Sequence, residues 1–230
     1  RFFRFFHKLS GMTGTAAEAA GELWHMYTLP VIAIPTNRPC IRKQYSDGVF
    51  LREDDKWQAI TAEIVELNRQ GRPVLIGTRS VRNSERLAAH LETLGLQFEL
   101  LNAVRHEQEA RIIEDAGRVD RVTIATNMAG RGTDIKLGPG VTEKGGLHVI
   151  ATERHESGRI DRQLFGRAAR QGDPGSSKAF VSMEDELIMR FTPAVVRRAV
   201  AATLKREIPA HGRLSGRAIR MAQAKAQRLA

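Results

Sequence analysis

Val122-Thr123-Ile124-Ala125-Thr126-Asn127-Met128-Ala129-Gly130-Arg131-Gly132-Thr133-Asp134 is the stretch that decides the fold. It opens with a short β-prone run, then places two glycines around an arginine and follows them with an aspartate. A strand without clean polar alternation is buried on both faces, as strands of parallel sheets are. Four comparable runs flank it: Val74-Leu75-Ile76, Phe98-Glu99-Leu100-Leu101, His148-Val149-Ile150 and Ala179-Phe180-Val181. Between the runs, residues 80–94, 106–116 and 157–165 show helical spacing; Ser80 suits an N-cap, and Gly95 and Gly117 close the first two. This order predicts an α/β fold, a doubly wound, mainly parallel sheet with right-handed crossovers. Ligands of such sheets bind beyond the carboxyl ends of the strands, which points to the loops after Thr126 and Thr152.

Working outward, residues 54–69 read as an amphipathic helix with Ile60, Ile64 and Leu67 on one face. Upstream, Val31-Ile32-Ala33-Ile34 runs into Pro35-Thr36-Asn37-Arg38-Pro39, an extended two-proline segment suited to a linker. Downstream, Thr192-Pro193 and then residues 209–212 break the pattern. A basic helical stretch from Ser215 follows, with Ile219, Ala222 and Ala226 near one face. The Phe2, Phe3, Phe5 and Phe6 cluster reads as a buried helix face rather than a membrane anchor.

Composition narrows the class. The chain has 230 residues, 42% hydrophobic and 27% charged, which allows a real core and excludes wholesale disorder. No apolar run approaches the roughly 18–20 residues of a membrane-spanning helix. Cys40 is the sole cysteine, so neither an intramolecular disulfide framework nor a cysteine zinc cluster can form. The chain opens on Arg1, which reads as part of a larger protein. Its net charge of +10 is uneven: from Arg197 onward nine basic residues face Glu207 alone, leaving the preceding 196 residues close to neutral. A solvated helix or linker explains such a tail; an acidic partner such as nucleic acid or anionic lipid is the sharper alternative.

Several standard sites are absent from the sequence: G-x-x-x-x-G-K-[ST], H-E-x-x-H and G-x-S-x-G do not occur. Met183-Glu184-Asp185-Glu186 could imitate an acidic magnesium-binding strand end, but a favourable helix N-terminal dipole interaction explains three adjacent acids more simply. Gly11-Met12-Thr13-Gly14-Thr15 suits either a ligand-sensitive loop or a plain turn. Two segments stand out. In residues 126–134, Gly130 and Gly132 around Arg131 allow close backbone approach to a ligand, and Asp134 can accept from a ribose or hold the arginine. The second runs from Gln163 to Asp173. Its Arg167 and Arg170, spaced i, i+3, share one side if the segment is helical and can neutralise a transferring phosphoryl group. The bland alternatives are a glycine turn with a local ion pair and a weak surface arginine pair. The two segments are expected at the ends of neighbouring strands.

These residues resemble a known family. The strings Leu9-Ser10-Gly11-Met12-Thr13-Gly14-Thr15-Ala16, Pro35 to Pro39, Ala125 to Asp134, Thr152-Glu153-Arg154-His155-Glu156-Ser157 and Gln163 to Ser177 are similar to those of SecA, the preprotein translocase motor ATPases. The resemblance covers Leu9 to Phe191, and Ala218-Ile219 with Ala222-Gln223 looks like the start of that family's scaffold helix. It implies a RecA-like fold of helicase C-terminal type with a C-terminal helical extension. Residues 1–34 would end the first motor domain, 35–191 would form the second, and 192–230 would be a linker and the start of the scaffold. ATP is implied as cofactor, with Mg held by the first motor domain. Arg131, Asp134, Gly130, Gly132 and Gln171 are implied at the nucleotide, Arg167 and Arg170 at its phosphates, and Arg170 as the arginine finger. The implied partners are a preprotein, the membrane protein-conducting channel, an anionic lipid surface and a second copy of the chain, with no specific nucleic acid. The implied location is the cytoplasm, peripheral on the cytoplasmic face of the cell membrane.

The chain departs from the family pattern at two places. Gly166-Arg167-Ala168-Ala169-Arg170 stands where Gly-Arg-Ser-Gly-Arg is usual, so a positive φ at 169 would strain alanine by about 1 kcal/mol, whereas a helix there would favour it. Gly158-Arg159-Ile160-Asp161-Arg162 replaces Arg-Arg-Ile-Asp-Asn. Two other readings stay open: the second motor domain of a nucleic-acid helicase, which shares the arginine element, and an adaptor that kept the fold without catalysis.

Overall fold

The computed structural model describes residues 2–101, 106–126, 133–205 and 211–229. The chain divides into two compact units, Arg1–Pro39 and Cys40–Ala230. The first holds short 3-10 turns at Phe2–Phe5 and Ala17–Ala19 and a helix α1 (Ala20–Tyr27), and none of its described residues is buried. The four phenylalanines are more than half exposed, contrary to the expected buried face. The Phe2 ring meets those of Phe3 and Phe6 edge-on, and Phe3 meets Tyr27. Two 3-10 turns and one helix supply no second layer to cover them.

The second unit is built on a parallel sheet. Its elements are β1 (Lys43–Gln44), β2 (Gly48–Phe50), α2 (Glu53–Arg69), β3 (Val74–Thr78), α3 (Val81–Thr93), β4 (Glu99–Leu101), α4 (His106–Asp115), β5 (Val122–Thr126), β6 (Leu147–Ala151), α5 (Gly158–Phe165), β7 (Gly175–Ser182), α6 (Glu186–Phe191), α7 (Ala194–Lys205) and α8 (His211–Leu229). The strand order is β1-β7-β6-β3-β5-β4, and β2 also pairs with β7. Every pairing is parallel. All five positions of β3 and of β6 are buried, which accounts for their unbroken apolar reading.

Alternation along the strands feeds two cores. Val74, Ile76, Val122, Ile124, Ile150 and Phe180 point to one face, under Trp57, Ile60 and Ile64 of α2 and Leu87, Ala88 and Leu91 of α3. Leu75, Ala125, Leu147, Val149, Ala151 and Ala179 point to the other, against Ile113 of α4 and Phe165 of α5. Ser80 caps α3 as expected, its hydroxyl accepting from the Asn83 N–H at 3.2 Å. A third cluster joins Val181 and Met183 to α6, to Val200 of α7 and to Ala218, Ile219, Ala222 and Ala226 of α8. The face expected of the basic stretch is therefore the buried one, and its helix begins four residues earlier than Ser215.

Candidate functional site

The expected site comes together by a route that the spacing did not foresee. β5 and β7 are not neighbours, since β3 and β6 stand between them. The arginine turn leads into the start of β7, at the amino ends of the strands rather than their carboxyl ends. Residues 133–138 bridge the two. They run back along the sheet face under which Ile135 and Leu137 pack, and Gly138 N–H donates to the Gly117 carbonyl at 2.9 Å, just ahead of β5. Gly117 permits this approach, because a Cβ there would lie 2.1 Å from the Lys136 carbonyl oxygen.

The second half is a turn, not a helix. α5 stops at Phe165, and residues 166–172 reverse direction through left-handed backbone at Ala169 (φ 55°), Gln171 (φ 53°) and Gly172 (φ 84°). Of the two conformations left open by the sequence, the positive φ at Ala169 is the one observed, and the helical i, i+3 alignment of Arg167 and Arg170 does not form. Gly175 completes the turn, since a Cβ on it would meet the Ala169 nitrogen at 2.7 Å. Both arginines nevertheless converge on the bridging segment. Arg167 Nη1 donates to the Thr133 carbonyl at 2.9 Å, and Arg170 Nη1 to Asp134 Oδ1 at 2.7 Å, while Arg170 Nε donates to the Gly166 carbonyl at 3.0 Å. Burial, then the charge of Arg170, lowers the proton affinity of Arg167, with Asp134 opposing; a guanidinium stays charged regardless. One of the two cations is thus bonded to the Asp134 carboxylate, and the other to the main-chain carbonyl beside it. Gln171 lies within the turn, directly after Arg170, whereas Gly130, Arg131 and Gly132 lie outside the described residues.

At the carboxyl ends of β3 and β6 a second cluster forms. Arg154 grips Asp47 through two bonds of 2.6 and 3.1 Å and reaches Asp161 at 3.2 Å. Asp161 also accepts from the His155 N–H and from Gln223 Nε2 of α8, at 3.0 and 2.8 Å. Arg79 pairs with Glu156 at 3.0 Å, and Asn83 donates to Glu153, whose carboxyl burial pushes up. The Thr152–Ser157 string is thus fixed to α5 and α8 by hydrogen bonds.

Sequence reasoning missed two buried polar groups. Lys56 Nζ lies 2.6 Å from Asp185 Oδ1, and Asp185 Oδ2 accepts from the Ser182 N–H. The acids do open a helix, with Asp185 at the N-cap of α6 and Glu186 in its first turn; Asp185 is in addition the partner of a buried lysine, while Glu184 accepts from the Glu53 N–H at the start of α2. The signal was available: Lys56 falls in register with Ile60 and Ile64. The other group surrounds His148, which sits inside an apolar strand. Its Nδ1 is 2.6 Å from Ser176 Oγ and its Nε2 3.2 Å from Glu63, which also pairs with Lys178. Arg72 donates to the same Ser176 hydroxyl at 2.6 Å.

Parallel strands wrapped on both faces, with an arginine turn ahead of the last long strand, define a RecA-like domain of helicase C-terminal type. Two solved structures share this fold: the yeast DEAD-box splicing factor Prp28 (TM-score 0.53, 18% identity, 84% of this chain and 40% of that one) and the E. coli DEAD-box protein SrmB bound to RraA (0.50, 23%, 66% and 83%). The chain belongs to the SecA P-loop domain family, whose profile matches residues 39–142 and 139–207. Similar relatives include the protein translocase subunit SecA of Desulfotalea psychrophila, 56% identical over 83% of this chain and 22% of that protein. The SecA 2 of Nitrosospira multiformis is 54% identical over 87% and 30%, and that of Chlorobium chlorochromatii 49% over 100% and 35%. The chain thus spans between a fifth and about a third of the length of these relatives.

Proposed function

We propose that this chain is the second motor half of a SecA-type protein translocase ATPase, contributing the arginine side of a split ATP site. Under this reading residues 1–34 end the first motor domain, 35–191 form the second, and 192–230 begin the helical scaffold. The observation that carries the reading is the convergence of Arg167 and Arg170 on Thr133 and Asp134, in a chain of the SecA family. Two adjacent guanidiniums opposite one carboxylate leave a positive excess, which is the donor chemistry a polyphosphate requires. ATP, when bound, supplies the phosphoanhydride whose hydrolysis drives the motor, and Mg is assigned to the first motor domain. Arg167 and Arg170 would bind and neutralise phosphate oxygens, with Arg170 as the finger. Gly130, Arg131, Gly132, Asp134 and Gln171 would border the nucleotide. The partners under this reading are a preprotein, a membrane channel, an anionic lipid surface and a second copy, with the protein peripheral on the cytoplasmic face of the membrane. Among the described residues no helix is long and apolar enough to cross a membrane.

The test is Arg170→Ala in a full-length translocase carrying this segment. Loss of an arginine finger lowers turnover on the order of 10³-fold or more; an unchanged rate would favour the adaptor reading. Because the sequence lacks a phosphate loop, the purified 230-residue chain is expected to hydrolyse ATP negligibly, and contaminant-free turnover by it would refute this. The shared fold of the DEAD-box proteins is what favours the helicase alternative. Tight single-stranded RNA binding by the full-length protein, falling steeply with salt, would support it.

A further inference from the structure

In this structure the arginines of the turn are committed to the protein itself. Arg170 spends Nη1 on Asp134 and Nε on the Gly166 carbonyl, and Arg167 spends Nη1 on the Thr133 carbonyl. The Arg170 and Asp134 side chains are 36% and 40% exposed, so their ion pair lies at the surface, where attraction is screened and a competing anion can reach it. In the turn, Arg170 is flanked on either side by left-handed backbone, at Ala169 and Gln171. The pair therefore joins a partly exposed charged head to a segment anchored by buried Ile135.

We infer that Asp134 is a positioning residue that parks Arg170 against the segment after β5, and that release of this ion pair is a step Arg170 must make before it acts. The inference rests on the proposed role of Arg170 and adds a resting state to it. Asp134 and Arg170 form a latch rather than a lock, because exposed pairs shift a balance by roughly two- to fivefold. Arg167 stays in place when the latch opens, since its acceptor is a main-chain carbonyl that no charge change removes.

The test begins on the nucleotide-free 230-residue chain, with the rate of phenylglyoxal modification read residue by residue by mass spectrometry. Asp134→Asn is expected to raise the rate at Arg170 roughly two- to fivefold and leave Arg167 unchanged. Asp134→Glu, which keeps the charge, is expected to return Arg170 to near its original rate. An Arg170 rate that ignores Asp134→Asn overturns the inference whatever Arg170 does in catalysis. In the full-length protein, Asp134→Asn is expected to raise the basal kcat by up to about fivefold; a lowered kcat with KM unchanged would mean that Asp134 assists Arg170 instead of restraining it. Should Arg170→Ala leave turnover unchanged, the finger assignment fails on its own, and the labelling result still decides whether the latch exists.

Discussion

Ala169 shows how one position carries both stability and site geometry. At φ 55° an L-residue is strained, and this alanine stands where the resembled family usually has glycine. Ala169→Val, adding β-branching at that φ, is expected to lower stability by about 2 kcal/mol. Ala169→Gly should stay within about 1 kcal/mol of the parent, because relief of strain is offset by greater freedom of the unfolded chain. Urea denaturation of both variants checks this, and a neutral valine would contradict the assigned backbone. The buried Lys56–Asp185 pair makes a second case. Asp185→Ala strands a buried ammonium and should cost about 3–5 kcal/mol, measured the same way. At this scale the Ser80 cap was legible, because capping involves residues three apart. The left-handed turn at 169–172 was legible only as one of two alternatives at Ala169, because alanine and glutamine carry no local preference for it.

Among the elements, the contact between α2 and the sheet has a titratable centre. Burial pushes the His148 imidazole below its ordinary pKa, with the neighbouring Arg72 and Lys178 charges acting the same way and Glu63 opposing. Burial also works to raise the Glu63 carboxyl, but bonds to His148 and Lys178 prevail and hold it low. Tyr45 also lies beside this group, its ring centroid 6.2 Å from that of His148. A histidine with a depressed folded pKa binds protons more readily when unfolded, so its contribution is present above about pH 6.5 and is lost as pH falls below that value. Glu63, also depressed, contributes above about pH 4.5 and loses that contribution on further acidification. Urea midpoints are therefore expected to decline from pH 7.5 to 5.5, and His148→Gln should flatten that decline; an equally steep profile in the variant would exclude His148 as its source. The elements themselves were readable from periodicity. The partners of His148 were not, since Glu63, Arg72 and Ser176 come from separate parts of the chain.

On the scale of the whole molecule, the two compact units differ in what holds them. None of the described residues in Arg1–Pro39 is buried, whereas Cys40–Ala230 contains three buried clusters. A segment that buries so little apolar surface cannot offset its chain entropy by itself. Limited proteolysis of the 230-residue chain should therefore remove residues before Cys40 first and leave a resistant product with the same thermal midpoint. A lowered midpoint after trimming would contradict this. The basic C-terminal stretch behaves differently from a detached tail, because α8 buries Ala218, Ile219, Ala222 and Ala226 and donates Gln223 to Asp161.

What the amino-acid order alone determined was the alternation of buried strands and amphipathic helices, and with it the parallel α/β class. Those signals have periods of two and 3.6 residues and are complete within one element. It also singled out Arg167, Arg170 and Asp134 by residue type and spacing. Only the tertiary structure decided that Asp134 pairs with Arg170, that β3 and β6 separate the strand before the Asp134 segment from the strand after the arginines, and that the arginines stand on a turn. Those outcomes depend on strand order and crossovers, which bring together residues more than 30 positions apart, and no local pattern records which distant residue will be met.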